Sequence, residues 1–233
     1  MGLSVVTVAS GGLPVVEATF GTPVTEAVNG RGVPVTKVVG KPGLPVVFET
    51  IGVGAVTYPT WDLATVSNMT LSNGSLRATS TGSGYALIPV AQRRTSGKYY
   101  WEYTVVNHTN INTSMGVNGS SINAIVTVVG SILVNAVSTG WSLGSISIGH
   151  VVGVALDIPA KLIWFKNITN SSAWNTSGGN PATGTSGANI SAIVGPITPT
   201  FTATLASQVL DANFGASAFV GPVPAGFTAG WPA

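Results

Sequence analysis

A four-residue pattern, Gly-x-Pro-Val, recurs near the start of this chain and constrains what it can fold into more than any other feature. The four copies begin at Gly12, Gly21, Gly32 and Gly43. Proline cannot donate to a strand ladder and glycine admits positive φ, so each copy ends one strand and redirects the chain. A regular period is the mark of units that gain stability by stacking on one another. The pattern therefore favours a stalk or an arm over a catalytic domain.

The segments after these corners predict four short β-branched strands, at 15–18, 24–27, 35–38 and 46–49. Phe20 and Phe48 are the only aromatic side chains in this region, which is too little for an independent core. We expect residues 1–54 to be an arm for anchoring and oligomerisation. Three copies could wind it into a β-structured shaft, or it could lie extended in a groove of a partner. A flexible Pro/Gly linker is the remaining alternative.

Charged residues are scarce in this chain of 233 residues, with 9 basic and 7 acidic side chains. An ordinary soluble domain has about 25% charged residues. A surface so poor in charge tends to self-associate unless partners cover it. We therefore expect an obligate oligomer, with a homotrimer preferred on geometric grounds. The net charge of +2 argues against binding to nucleic acid through its phosphates.

Several further classes are excluded by composition. The chain has no cysteine, so disulfides and thiolate-metal sites are absent. Its longest apolar stretch, 122–137, is interrupted by polar residues and falls short of the roughly 20 residues that span a bilayer, so we expect no membrane insertion. The break at Gly130 in that stretch predicts two buried strands joined by a turn. The first residues lack a basic region, and no secretory signal is expected.

Residues 55–233 show strand alternation without helical periodicity, which predicts an all-β domain. In the segment 98–105, the side chains of Tyr99, Trp101, Tyr103 and Val105 share one face. That pattern predicts a strand with one face toward a core. The segments 151–157 and 162–166, joined by a turn at Pro159, predict a buried hairpin.

Four strings of sequence carry a resemblance to a known family: 96–103, 148–157, 162–167 and 212–219. In order and approximate spacing they resemble the SPRY domain, over roughly residues 60–230. The resemblance implies a concanavalin-like antiparallel β-sandwich of two sheets, used across the family for binding rather than catalysis. The last string, with the segment 222–227 after it, looks like the version in bacteriophage and prophage proteins.

The chain departs from the SPRY pattern at two positions. His150 stands where family members commonly carry Asp, and Pro159 occupies a turn that is usually glycine-rich. Because SPRY domains bind through variable loops without a shared motif, the resemblance assigns no functional residue. The fold class we predict is thus an all-β, SPRY-like sandwich at 55–233, preceded by the extended β-repeat arm.

The best candidate contact surface is the long Asn/Gly/Ser/Thr-rich stretch 167–191, because long loops in compact domains are usually functional or mobile. The candidate residues in it are Trp174, Asn175, Asn180 and Thr183. Stacking of Trp174 on a sugar ring is one interpretation. An ordered loop with Trp174 packed beneath it is the other.

No arrangement for catalysis or metal binding stands out. His108 and His150 lie far apart in sequence and have no metal-ligand or triad spacing. The acids of the globular part have no paired pattern typical of a glycosidase; they are Asp62, Glu102, Asp157 and Asp211. Asp157 and Asp211 are expected to accept backbone N–H groups near turns. We therefore expect no enzyme activity, no cofactor and no metal.

These observations predict a non-enzymatic structural and binding component of a bacteriophage virion, either a capsid decoration protein or a tail fibre. Residues 1–54 would bind capsid or tail proteins, and the sandwich would be displayed, with a host surface glycan as a candidate ligand. The alternative is a carbohydrate-binding module of a bacterial surface adhesin. A glycan-cleaving enzyme is the third hypothesis.

Overall fold

The computed structural model describes the backbone of 37–39 and 47–49 and, in full, residues 57–64, 68–82, 84–120, 122–175 and 178–232. The chain divides into two compact units, Met1–Val56 and Thr57–Ala233. In the first unit, β1 (Lys37–Val39) pairs antiparallel with β2 (Val47–Glu49). The strands expected at 15–18 and 24–27, and the anchoring role of the arm, lie outside the described residues and stay predictions.

The second unit is a β-sandwich of two antiparallel sheets, which confirms the expected all-β fold. The larger sheet has the spatial order β13 (Ala188–Asn189), β12 (Leu162–Asn167), β11 (Val151–Asp157), β6 (Lys98–Asn107), β15 (Val209–Asn213), β4 (Arg77–Ser80) and β3 (Met69–Ser72), and β16 (Thr228–Ala229) pairs in parallel with β6. The smaller sheet has the order β10 (Val137–Ser142), β9 (Ser131–Val134), β8 (Asn123–Thr127), β7 (Ser114–Asn118), β14 (Thr198–Ala203) and β5 (Ala86–Pro89). A 3-10 helix covers Pro181–Thr183. Among the described residues, no helix is both long and apolar enough to cross a membrane.

The main core lies between the two sheets and is built by strand alternation. From β6, Trp101, Tyr103 and Val105 are fully buried in it, and Tyr99 packs against its margin. This confirms the face predicted for that strand. From the facing sheet, β14 contributes Phe201. Each large side chain buried in this way stabilises the fold by about 1.5–3 kcal/mol.

Two predicted hairpins are confirmed. The strands β11 and β12 pair with Asp157 opposite Leu162, and the turn 158–161 joins them. The apolar stretch 122–137 forms β8 and β9, which pair antiparallel and are connected through 128–130. Gly130 has φ +87°, a left-handed conformation that glycine adopts without strain.

The outer face of the larger sheet is also covered, which the alternation in β6 did not indicate. Tyr100, Ala155 and Trp164 form a second buried cluster there, under Phe219 and Phe227 of the C-terminal segment. We call residues 214–231 the strap. Phe214 and Trp231 at its ends are buried in the main core, and Trp231 N donates to Phe214 O at 2.7 Å.

Glu102 holds the middle of the strap against the sheet. Glu102 is only 2% exposed, and its carboxylate accepts from Val220 N at 2.9 Å, from Gly221 N at 2.7 Å and from the Tyr100 hydroxyl at 2.6 Å. Three donors compensate for the lost hydration of a buried charge. Burial, followed by the hydrogen bond to Glu102, raises the pKa of Tyr100 above its ordinary value.

Candidate functional site: the loop end of the sandwich

Five connections meet at the end of the sandwich where β6 finishes and β7 starts. We call this surface the loop end; it consists of the described residues of five connections, namely 81–82 with 84–85, 107–113, 128–130, 143–150 and 204–208. Backbone hydrogen bonds join neighbouring connections: Gly84 N to Thr204 O at 3.0 Å, Val128 N to Thr113 O at 2.9 Å, Ile146 N to Val128 O at 2.8 Å and Leu143 N to Gly130 O at 2.9 Å. The loops therefore support one another as a single layer.

A buried neutral network lies beneath the loop end. Gln208 is fully buried, its Nε2 donates to Thr109 Oγ1 at 2.8 Å, and its Oε1 accepts from the Thr113 hydroxyl. Asn107 Nδ2 donates to Ser207 O at 2.6 Å. These bonds tie the β6–β7 connection to the β14–β15 connection, and an amide buried with its partners in place fixes the geometry of both.

Two glycines let two of the connections touch through their backbones. A Cβ on Gly130 would lie 2.1 Å from the carbonyl oxygen of Gly144, so no larger residue fits there. Gly144 itself has φ +70° and open space around it. The close approach depends on Gly130 and holds the 128–130 turn against the 143–150 connection.

Large apolar side chains project from every connection of the loop end. Each is at least 40% exposed, and they are Tyr85, Ile111, Val129, Ile148 and Leu205. The five connections contain no Asp, Glu, Lys or Arg. An exposed apolar cluster on loops that a rigid scaffold positions is typical of a contact surface.

The opposite end of the sandwich carries charged side chains as well as exposed apolar ones, and we call it the charged end. It carries Asp62, Arg93, Arg94, Lys98, Asp157 and Lys161 on its connections and adjoining strand ends. Lys98 Nζ lies 2.7 Å from Asp157 Oδ2, and Asp157 Oδ1 accepts from Ala160 N at 2.9 Å. The expected backbone role of Asp157 is thus confirmed.

The remaining acids occupy separate settings. Asp211 was expected to accept backbone N–H groups, and this was wrong: both of its oxygens bond the guanidinium of Arg77, at 2.6 and 2.7 Å. The neighbouring strand β4 presents Arg77 directly across from it, which local sequence could not indicate. That hydrogen bond raises the pKa of Arg77. Within the part of the chain that the structure describes, no group of three or more His, Asp or Glu is placed to hold a metal ion.

Both histidines belong to the loop end. His108 is half-buried in the 107–113 connection, and His150 lies just before β11. The Nδ1 of His150 accepts from Ser147 N at 3.2 Å and lies 3.0 Å from Asn167 Nδ2. His150 therefore holds the 143–150 connection in place.

The residues predicted from the long loop lie along the β12 edge of the larger sheet, away from the loop end. Asn175 is fully buried: Oδ1 accepts from Phe165 N at 2.9 Å, and Nδ2 donates to Ile163 O at 3.1 Å and Ser186 O at 3.0 Å. A side chain placed in this way pins the loop to the sheet and cannot reach a ligand at the surface. Its proposed contact role is corrected to a structural one.

The other three residues of that set are accessible to different degrees. Trp174 is half-buried, with its ring centroid 6.3 Å from that of Tyr100. Asn180 is exposed and caps the 3-10 helix by accepting from Ala182 N at 3.0 Å. Thr183 is exposed, with its hydroxyl 2.9 Å from that of Thr185. The contact role of these three stays a prediction.

Sequence reasoning missed the loop end because its members are distributed over five connections. One signal was present in the sequence: every one of these connections lacks charge, whereas the connections 90–97 and 158–161 of the opposite end contain Arg93, Arg94 and Lys161. Only the strand order shows that the uncharged connections share one end.

Comparison with solved structures gives the fold. The SPRY domain of human HERC1 superposes with a TM-score of 0.51 and 18% sequence identity, and the match covers 65% of this chain and 96% of that domain. The sandwich has the SPRY fold. The TRIM65 PSpry domain also matches, with a TM-score of 0.48, 18% identity, and coverage of 67% of this chain and 92% of that domain. No family model and no curated protein matches the sequence.

The SPRY-like sandwich expected from the four sequence strings is therefore confirmed. Because nearly the whole HERC1 domain is matched, this chain contains a complete sandwich of that kind. The phage type of the resemblance stays a prediction.

Proposed function

We propose that this protein is a non-enzymatic binding component of a bacteriophage virion, whose SPRY-like sandwich docks on a partner through the loop end. The observation that carries the binding role is the charge-free surface with one exposed apolar side chain from each of five connections. The partner is a protein surface that is itself apolar and uncharged.

The energetics of desolvation support this choice of partner. Burying an unpaired charge is expensive, whereas apolar side chains gain about 25 cal/mol for each Å² removed from water. A surface without charged side chains does not incur this desolvation cost when a partner covers it. Because hydrogen bonds already join the loops, little ordering entropy is lost on docking. Tyr85 is the aromatic anchor of the surface, and Ile111 lies exposed on another of its connections.

The sequence supports the virion part of the proposal. The Gly-x-Pro-Val arm suits attachment to capsid or tail proteins, and three copies could share it. The scarcity of charge suits a chain whose surface is covered by copies of itself and by neighbours. Display of many heads on one particle would multiply a weak individual affinity.

The setting of the acids supports a non-enzymatic role. Asp157 pairs with Lys98, Asp211 pairs with Arg77, and Glu102 is buried under the strap. Each of these three carboxylates already has structural partners.

The test compares two charge insertions at similarly exposed apolar positions. Ile111→Glu places a carboxylate in the loop end, and Val194→Glu places one at an equally exposed apolar position of the opposite end. We expect adsorption of the labelled protein to host cells to fall about tenfold or more for Ile111→Glu and to be unchanged for Val194→Glu. Equal adsorption by the two variants contradicts the loop-end assignment.

Two measurements test the virion assignment separately. Mass spectrometry of purified particles should detect the protein in a fixed copy number, and imaging of particles labelled on it should locate it on the head or the tail.

The oligomeric state is tested by mass photometry of the purified protein, which should find trimers. A monomer whose residues 1–54 are removed by protease contradicts the shaft.

A further inference from the structure

We infer that the outer face of the larger sheet carries a second binding site, for a saccharide with a carboxylate group, built on Trp174 and Lys166. This surface lies beside β12 and is separate from the loop end. The inference goes beyond the proposed docking function, and either can fail without the other.

Trp174 is a fixed aromatic platform. Its ring meets Tyr100 in an edge arrangement, with an interplanar angle of 78°. The backbone of Trp174 pairs with Gly179, and the next residue, Asn175, is locked into the sheet through its amide. The indole is half-buried and so retains an accessible part. A rigid aromatic side chain loses little entropy when a ligand packs on it.

Lys166 supplies a positive charge beside this platform. It projects from the outer face of β12, and its Nζ lies 5.9 Å from the centroid of the Trp174 ring. Within the described ranges it makes no ion pair. The acids of the outer face do not neutralise it, because Glu102 is buried with three donors and Asp157 is bonded to Lys98.

Neutral hydrogen-bonding groups continue along the same loop. The amide nitrogen of Asn180 has no partner among the described residues, since only its oxygen is used in the cap. The hydroxyls of Thr183 and Thr185 form an exposed pair. Amides and hydroxyls of this kind suit the hydroxyl groups of a sugar.

The combination selects the ligand class. An aromatic face suits the C–H face of a sugar ring, the amide and hydroxyls suit its hydroxyl groups, and one unpaired ammonium suits one carboxylate. Nucleic acid would require several cations along a track, and the outer face offers only Lys166 beside Trp174. A neutral saccharide would leave Lys166 without a role.

The test is a titration of the whole chain with tetragalacturonate, and with maltotetraose as the neutral probe, followed by tryptophan fluorescence and NMR. We expect binding of tetragalacturonate at least about tenfold tighter than that of maltotetraose, since one desolvated ion pair is gained. Lys166→Gln should remove this preference, whereas Lys166→Arg, which keeps the positive charge, should retain it. The control Lys161→Gln, in the β11–β12 turn, should leave it intact.

The aromatic platform has its own variants. Trp174→Ala should weaken binding of both probes, and Trp174→Phe, which keeps an aromatic ring and the packing on Tyr100, should retain most of it. Trp141→Ala on β10 of the smaller sheet is the matched tryptophan control and should bind as the parent does. Absence of binding by the parent, equal affinity for the two probes, or binding that persists in both Trp174→Ala and Lys166→Gln overturns the inference. Ile111→Glu should bind tetragalacturonate normally, so failure of the docking function would remain distinguishable.

Discussion

The two ends of the sandwich are built on the same strands but are stabilised in different ways. At the charged end, Lys98 pairs with Asp157 and charged residues lie around the turns. At the loop end, a buried glutamine, backbone bonds between loops and the Gly130 contact take the place of charges. The comparison indicates that neighbouring loops can be held together by neutral groups, since these cost less to bury than unpaired ions.

The largest expected effect comes from disrupting the backbone contact between Gly130 and Gly144 at the loop end. Gly130→Ala combines a positive φ with a Cβ that meets the Gly144 carbonyl, so the free energy of unfolding should fall by about 2–5 kcal/mol. Gly74→Ala at the opposite end, where φ is +62° and the space is open, should cost only about 1–2 kcal/mol. Urea denaturation measures both, and equal losses would remove the structural distinction between the two ends.

The neutral network should give the next largest effect. Gln208→Ala leaves the buried Thr113 hydroxyl without its acceptor and opens space, so we expect a loss of about 2–3 kcal/mol in the free energy of unfolding. Its counterpart at the charged end, Gln92→Ala, removes a buried side-chain oxygen that has no partner in the described structure, and should change stability by less than about 0.5 kcal/mol. A larger loss for Gln92→Ala than for Gln208→Ala would reverse the comparison.

Alkaline pH tests the core between the two ends. Tyr103 is fully buried, donates to Gly116 O at 3.1 Å, and burial raises its pKa. The folded state keeps this proton where the unfolded chain releases it, so stability is complete below the ordinary tyrosine pKa of about 10 and falls above it. Tyr103→Phe should reduce that fall by up to about 1.4 kcal/mol per pH unit. An unchanged slope in denaturation measured from pH 9 to 11 would show that Tyr103 ionises in the folded state.

The smallest effect should come from the ion pair of the charged end. Lys98 has 45% of its side chain exposed, and the buried Asp157 keeps its hydrogen bond from Ala160 N, so Lys98→Met should cost about 1 kcal/mol, and the loss should shrink in high salt. The loss for Gln208→Ala should not depend on salt, because no charge is involved. If the stability loss of Gln208→Ala depended on salt, or that of Lys98→Met did not, the view that neutral groups stabilise the loop end and charges the charged end would be contradicted.

Much of the fold could be predicted because strand patterns are local. The alternation around Tyr103 placed one face of β6 in the core, and the turn at Pro159 placed a hairpin, since side-chain direction in a strand follows sequence position. The covered outer face could not be predicted in the same way. Glu102 reads as a solvent-facing residue, and its partners Val220 and Gly221 lie more than a hundred residues away in the chain.

The candidate contact residues of the long loop also differ in how far the sequence could predict them. Trp174 and Asn180 could be selected from the sequence because the loop that carries them is continuous and unusual in composition. Asn175 stands beside Trp174 in the same pattern, yet it points inward to bond Phe165, because the backbone turns there at φ +52°. Composition does not determine which member of a loop faces solvent.

The sequence by itself determined an all-β domain, because periodicity and turn residues depend only on neighbours along the chain, and its resemblance to the SPRY domain implied the two-sheet sandwich. Tertiary structure alone decided that five uncharged connections meet at one end and that the strap covers Tyr100 and Glu102. Both depend on strand order and on contacts between residues distant in sequence, which a local pattern does not specify.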